Sequence, residues 1–201
     1  ASGIPATVLR YSVTNPGNVP VSVTIAGTLS HLAGEQKNFD NLVRGWYVGG
    51  ARQTSSWRDD GEFRGLDFGV DLDPGHKDYG TMSLMTRAER VTKKPEWVRS
   101  FVGAGAELFW RDFAADGLLD EKDEAPVDEV MDGRVPPRTT GSLGIVADVA
   151  PGETRDFEFV LAWSFPNRPN CWWPSSPPPP GQPETIRNHY GTIWPDAWTA
   201  G

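Results

Sequence analysis

Leu143-Gly144-Ile145-Val146-Ala147-Asp148-Val149, then Pro151-Gly152-Glu153, then Phe157-Glu158-Phe159-Val160-Leu161-Ala162-Trp163-Ser164-Phe165 is the stretch that decides the fold class. Leu143, Ile145, Ala147 and Val149 alternate with small or polar residues. After the turn, Phe157, Phe159, Leu161, Trp163 and Phe165 alternate with Asp156, Glu158, Val160, Ala162 and Ser164. Successive side chains of a strand point to opposite faces, so a period of two on both flanks marks two strands, each with one buried face. Proline presets φ for the start of a turn and glycine accepts conformations closed to other residues. The stretch therefore reads as a hairpin turning at Pro151–Thr154.

The opening of the chain has the same grammar. Thr7, Leu9, Tyr11 and Val13 alternate with Val8, Arg10, Ser12 and Thr14. Asn15-Pro16-Gly17-Asn18 reads as a type II turn, with Gly17 supplying a positive φ. Val19, Val21, Val23, Ile25, Gly27 and Leu29 then alternate with Pro20, Ser22, Thr24, Ala26, Thr28 and Ser30. Further strands are expected at Phe63–Leu72, with Leu66, Phe68, Val70 and Leu72 on one side, and at Thr81–Ala88, with Met82 and Leu84 inward. Another is expected at Trp97–Phe101. Residues 33–61 are polar and Gly-rich, with Trp46, Tyr47 and Trp57 embedded, and read as a long, partly ordered loop. Leu108, Phe109, Phe113 and Leu118 fall at helical spacing, which predicts a short helix within Ala106–Leu119. The acidic, Pro-containing run 120–138 reads as a solvated loop. Strands separated by turn chemistry predict an all-β fold, an antiparallel β-sandwich with long loops and a short helix.

Composition narrows the functions. The 201 residues include 22 Gly and 18 Pro, a balance that favours strands and turns. A formal net charge of −8 repels phosphate backbones, which argues against nucleic acid and leaves neutral ligands such as sugars open. The single cysteine, Cys171, excludes an internal disulfide. No run approaches the ~20 apolar residues of a membrane span. Ala1-Ser2-Gly3-Ile4-Pro5 has no signal-peptide character and reads as a cut just ahead of a strand. With one Cys, this leans toward a cytoplasmic protein.

The chemistry-bearing motifs are thin. Asp71-Leu72-Asp73-Pro74-Gly75-His76-Lys77-Asp78 has alternating carboxylates. An EF-hand, however, wants Gly and Glu where His76 and Met82 stand, so a Pro-Gly turn is the better reading. No carboxylate pair of glycosidase type stands out among 27 acidic residues. His31, His76 and His189 sit in no nucleophile-elbow context and read as polar surface. Nine tryptophans are many for this length. Trp97, Trp110 and Trp163 lie in patterned elements and read as core. Trp46, Trp57, Trp172, Trp173, Trp194 and Trp198 lie in loops or the tail, where interface packing and stacking on a sugar face are both open. Past Pro166 the chain turns Pro-rich and extended over Pro174–Pro183. It then becomes aromatic in His189-Tyr190-Gly191-Thr192-Ile193-Trp194-Pro195-Asp196-Ala197-Trp198. Residues 185–201 are expected to be an interface segment, not a free tail.

Several of these runs resemble glycoside hydrolase family 116, which includes non-lysosomal glucosylceramidases and bacterial β-glucosidases. They are Gly141-Ser142-Leu143-Gly144-Ile145, Leu161-Ala162-Trp163-Ser164-Phe165-Pro166-Asn167-Arg168, and Tyr190-Gly191 with Trp194-Pro195-Asp196-Ala197-Trp198. Tyr11-Ser12-Val13-Thr14-Asn15-Pro16 and Leu108-Phe109-Trp110-Arg111-Asp112-Phe113 with Asp116-Gly117 are similar as well. The resemblance implies an N-terminal β-sandwich followed by an (α/α)₆ catalytic barrel that carries both carboxylates of a retaining mechanism. It implies residues 1–165 as the later part of the sandwich, and 166–201 as a segment leading toward the helical catalytic domain, its partner. It assigns no catalytic, cofactor-binding or metal-binding residue to this chain. Trp172, Trp173, Tyr190, Trp194 and Trp198 are the candidate interface or sugar contacts, with glucosides as ligands. A free-standing carbohydrate-binding module and a structural assembly sandwich remain the alternatives.

Overall fold

The computed structural model describes residues 3–34, 51–98, 104–121, 139–171 and 178–201. Two antiparallel sheets face each other. The larger runs β1-β8-β5-β4-β3, and the smaller β2-β7-β6. Their strands are β1 (Ala6–Thr14), β2 (Val21–Ser30), β3 (Gln53–Asp59), β4 (Arg64–Val70), β5 (Thr81–Thr86), β6 (Val91–Lys94), β7 (Thr140–Val149) and β8 (Thr154–Ser164). The sandwich expected from the alternation is thus the observed fold. Between the sheets lie Leu84 and Phe157 and Phe159 from one side and Leu143 and Ile145 from the other, with Val23, Ile25 and Trp57 against them. Leu66, Phe68 and Met82 extend this core toward Leu161, Trp163 and Phe165.

The two turns fall where the sequence puts them, but neither closes a hairpin. β1 pairs with β8, Ala6 opposite Ala162 through Thr14 opposite Thr154. β2 pairs with β7, Val21 opposite Val149 through Ser30 opposite Thr140. At both turns the chain crosses from one sheet to the other, forming two arches side by side. The arches bond to each other: Asn15 N–H donates to Glu153 O (3.0 Å) and Gly152 N–H to Asn15 O (2.8 Å). The buried Asn15 side chain serves the corner, donating to Val19 O (2.8 Å) and Val149 O (2.9 Å) and accepting from Gly17 N–H (2.9 Å). An arch and a hairpin demand the same period-two pattern, since each strand has one inward face either way. Only partner choice tells them apart. Gly17 is not among the glycines of positive φ, which corrects the type II expectation there. Gly152, at φ +72, does have one, in a turn closed by Glu153 N–H to Ala150 O (3.0 Å).

Four further expectations need correction. Strand β3 runs through the stretch read as loop. As an edge strand it needs only one half-buried face, and Gln53, Ser55 and Trp57 supply it without an apolar alternation. The strand expected at 97–101 is replaced by β6 just before it. Trp97 lies past its end, bonding its N–H to Thr140 O (2.8 Å), and 99–101 lie outside the described residues. His31 is not surface but fully buried. The helix appears as α1 (Ala104–Asp116). Trp97 stacks on its Phe109 at 4.5 Å and donates from Nε1 to Ser142 Oγ (2.9 Å). The buried Lys94 ammonium donates to Asp120 O (3.0 Å), with Asp112 at 3.6 Å. These contacts tie α1 to the small sheet. Trp110, read as core, is instead 62% exposed on α1. The acidic loop reading lies outside the described residues from 122 to 138. No helix among the described residues is long and apolar enough to cross a membrane.

Candidate functional site

Past β8 the chain makes a small two-stranded sheet of β9 (Asn167–Pro169) and β10 (Thr185–Arg187). It then forms a 3-10 turn (His189–Thr192) and the short helix α2 (Ala197–Ala200). This returning segment is the candidate site, because it carries three of the five aromatics singled out in the sequence.

Tyr190 fixes its first half. Its hydroxyl donates to Phe165 O (2.6 Å) and accepts from Phe165 N–H (3.1 Å), while Asn188 Nδ2 donates to the same carbonyl (2.8 Å). Gly191 is held against Pro166 so tightly that a Cβ there would come within 2.8 Å of Pro166 Cβ. Asp196 starts α2 through a capping box: its carboxylate accepts from Thr199 N–H (2.8 Å), and Thr199 Oγ1 accepts from Asp196 N–H (3.4 Å). A capped first turn satisfies amides that have no partner within the helix. Ala197 N–H goes to Thr81 Oγ1 (2.9 Å), which pins the helix to β5.

Trp198 is the anchor. β-pairing puts Met85, Val160 and Ala162 on the face of the large sheet turned away from the core. Ala197 and Trp198 bury themselves on that patch, with Ala6 and Phe63 at its rim. Trp198 is 5% exposed. Its indole N–H donates to Asp60 Oδ2 (2.7 Å), and the Arg58 guanidinium lies 4.7 Å from its ring centroid. The β3–β4 tip is shaped for this: Asp60 Oδ1 accepts from the N–H groups of Glu62 (3.0 Å) and Phe63 (2.8 Å). The Trp198 hydrogen bond, then those backbone donors, hold the Asp60 carboxyl below its ordinary range. Burial pushes Asp67 the other way, against the Ser83 hydroxyl (2.9 Å) and Arg58 (3.5 Å). Carboxylates driven apart in pKa can signal an acid and a base. Here both are engaged in holding strand, tip and helix together.

Trp194 is half-buried and Ile193 is 54% exposed. Trp172 and Trp173 lie outside the described residues, as does Trp46. Trp57 packs in the core, its ring under the Lys93 ammonium at 4.2 Å. Sequence reasoning missed Arg58, Asp60 and Thr81, the groups that receive Trp198 and Ala197. The signal available was Asp60-Gly61, a turn dipeptide whose Asp bonds its own backbone, inside the stretch read as loop. The Asp71–Asp78 stretch is a turn in which Asp73 Oδ1 accepts from Gly75 N–H (2.7 Å) and Lys77 pairs with Asp78 (2.6 Å).

A family model described as beta-glucosidase 2, glycosyl-hydrolase family 116 N-term, matches residues 1–200. No curated protein matches the chain.

Proposed function

The chain belongs to glycosyl-hydrolase family 116 as its N-terminal domain, and on that premise we propose that it acts as a non-catalytic sandwich that supports the enzyme's helical catalytic domain and borders its cleft. The observation that carries this reading is the strapping of 188–200 across the large sheet by Tyr190, Thr81 and the buried Trp198. A linker between independent domains is exposed and makes few contacts. This segment instead has a fixed position and direction on the sandwich, as a rigid mount needs. The exposed Ile193, beside the half-buried Trp194, offers apolar area to a neighbour, and glucosides are the substrate class of the whole enzyme. The experiment is complementation: the 201-residue chain is added to a separately produced helical domain of the same enzyme. Turnover of a β-glucoside and thermal stability of the helical domain should both rise. Unchanged values, together with direct binding of glucosides to the chain alone, would favour a free-standing sugar-binding module.

A further inference from the structure

Trp198 closes on the tip between β3 and β4, and that tip holds an Asp-Gly step, Asp60-Gly61. An Asp-Gly step is chemically labile. The glycine nitrogen, unhindered by a Cβ, attacks the aspartate Cγ and closes a five-membered succinimide ring. One water leaves, made of the carboxyl hydroxyl and the amide proton. Water then reopens the ring at either carbonyl. Opening at one returns aspartate. Opening at the other leaves isoaspartate, whose main chain runs through the former side chain and is one carbon longer. The ring closes from the neutral acid, because a carboxylate has no hydroxyl to lose.

The docked strap works against each of these steps. Asp60 Oδ1 accepts from Glu62 N–H (3.0 Å) and Phe63 N–H (2.8 Å), and Oδ2 from Trp198 Nε1–H (2.7 Å). Hydrogen bonds to the ionised form keep a carboxyl ionised. The Trp198 bond is the largest of the influences that hold this one down. With both oxygens tied, the carboxyl group is not free to turn its face to the Gly61 nitrogen. That nitrogen is itself engaged, donating to Asp59 Oδ1 (3.0 Å). All of these bonds but one are local to the tip. The exception comes from Trp198, far along the chain, and is lost whenever α2 lifts. Gly61 has room to move, since a Cβ there would meet no atom within 4 Å.

We infer that Asp60-Gly61 is a site of isoaspartate formation held unreactive by the docked Trp198, so that an opened strap stays open once this step has isomerised. The isoaspartate carboxylate sits directly on Cα, a methylene shorter than before, and the lengthened main chain displaces Glu62 and Phe63. The bonds to the two amides and to the indole cannot re-form as they were. A reversible opening thereby becomes a one-way event. Asp116-Gly117 supplies a control in the same molecule. Asp116 Oδ1 accepts from Leu118 N–H (2.9 Å) and Gly117 N–H donates to Phe113 O (2.9 Å), and neither bond comes from the strap.

Incubation of the folded 201-residue chain in heavy-oxygen water at neutral pH tests this, because each ring opening installs one heavy oxygen. Tryptic mass spectrometry in ordinary water then reads the label. Cleavage after Arg58 and Arg64 isolates Asp60-Gly61, and cleavage after Arg111 and Lys122 isolates Asp116-Gly117. Circular dichroism confirms that each variant is folded. The wild-type chain should label slowly at both sites. Trp198→Phe, which keeps most of the packing and removes the donor, should label 59–64 severalfold faster. Trp198→Ala should label it faster again, with 112–122 unchanged in both. Trp198→Phe carries the test should Trp198→Ala fail to fold. In aged Trp198→Phe protein, molecules holding isoaspartate should exchange the amides of 196–200 faster than unmodified molecules. Equal labelling of 59–64 in wild type and folded variants would overturn the assignment, as would an acceleration shared equally by 112–122. Equal exchange in the two forms would overturn the one-way opening.

Discussion

Trp198→Ala is the substitution on which the account of the C-terminal strap stands. The ring is 5% exposed and lies on Met85, Val160 and Ala162. Truncating a buried Trp costs about 3–5 kcal/mol, from lost transfer energy and from the cavity left behind. The indole N–H to Asp60 bond adds little to that, because Asp60 is solvated and regains water when the donor leaves. Packing therefore outweighs the hydrogen bond. Trp198→Phe, which keeps most of the apolar area, should cost only about 1–2 kcal/mol. Urea unfolding checks the order: the midpoint should fall steeply for Ala and modestly for Phe, with the slope unchanged. Hydrogen exchange of residues 196–200 should quicken in Trp198→Ala before the sheet opens. A midpoint unaltered by Trp198→Ala, at unaltered slope, would mean that α2 is not docked, and the argument for a rigid mount would fall with it.

Two other outcomes follow from the same packing. Burial lowers the His31 pKa from 6.5 to about 4. Between those values the unfolded chain binds a proton that the folded chain does not, so stability falls as pH drops from 6.5 toward 4, by about 3 kcal/mol at most. His31→Phe should flatten that slope in stability measured against pH. Gly65→Ala would place a Cβ 2.1 Å from Leu84 O, inside the β4–β5 pairing, at a cost toward the top of the about 1–3 kcal/mol range for overpacking. Gly152→Ala meets no atom within 4 Å and suffers only from its φ of +72, about 1 kcal/mol. Thermal melts should rank them in that order.

The strands were legible wherever one face is core and the other is not. β7 and β8 show it most clearly, their alternation matching the inward rows of Leu143, Ile145, Phe157 and Phe159. The pairing was not legible, because alternation reports which face is buried and not which strand lies alongside. The buried Asn15 that makes the corner looks in sequence like any Asn-Pro-Gly turn. β3 was hidden because Gln53, Ser55 and Trp57 bury a polar edge. Gln53 in particular is buried for its bonds, to Ala33 O (2.6 Å) and from Thr139 N–H (2.8 Å), and not for apolarity. Of the site, Trp198 and Tyr190 stood out by their aromatic character. The receivers of Trp198 and Ala197 did not, since an Asp at a turn tip and a Thr in a strand carry no mark of a partner more than 100 residues away.

The most direct test of the central claim, that this domain supports catalysis without performing it, is the steady-state hydrolysis of an aryl β-glucoside by the purified chain. The account predicts no turnover above the uncatalysed reaction at any pH at which the chain is folded. Sustained turnover, abolished by replacing a single Asp or Glu of this chain while the fold persists, would contradict it.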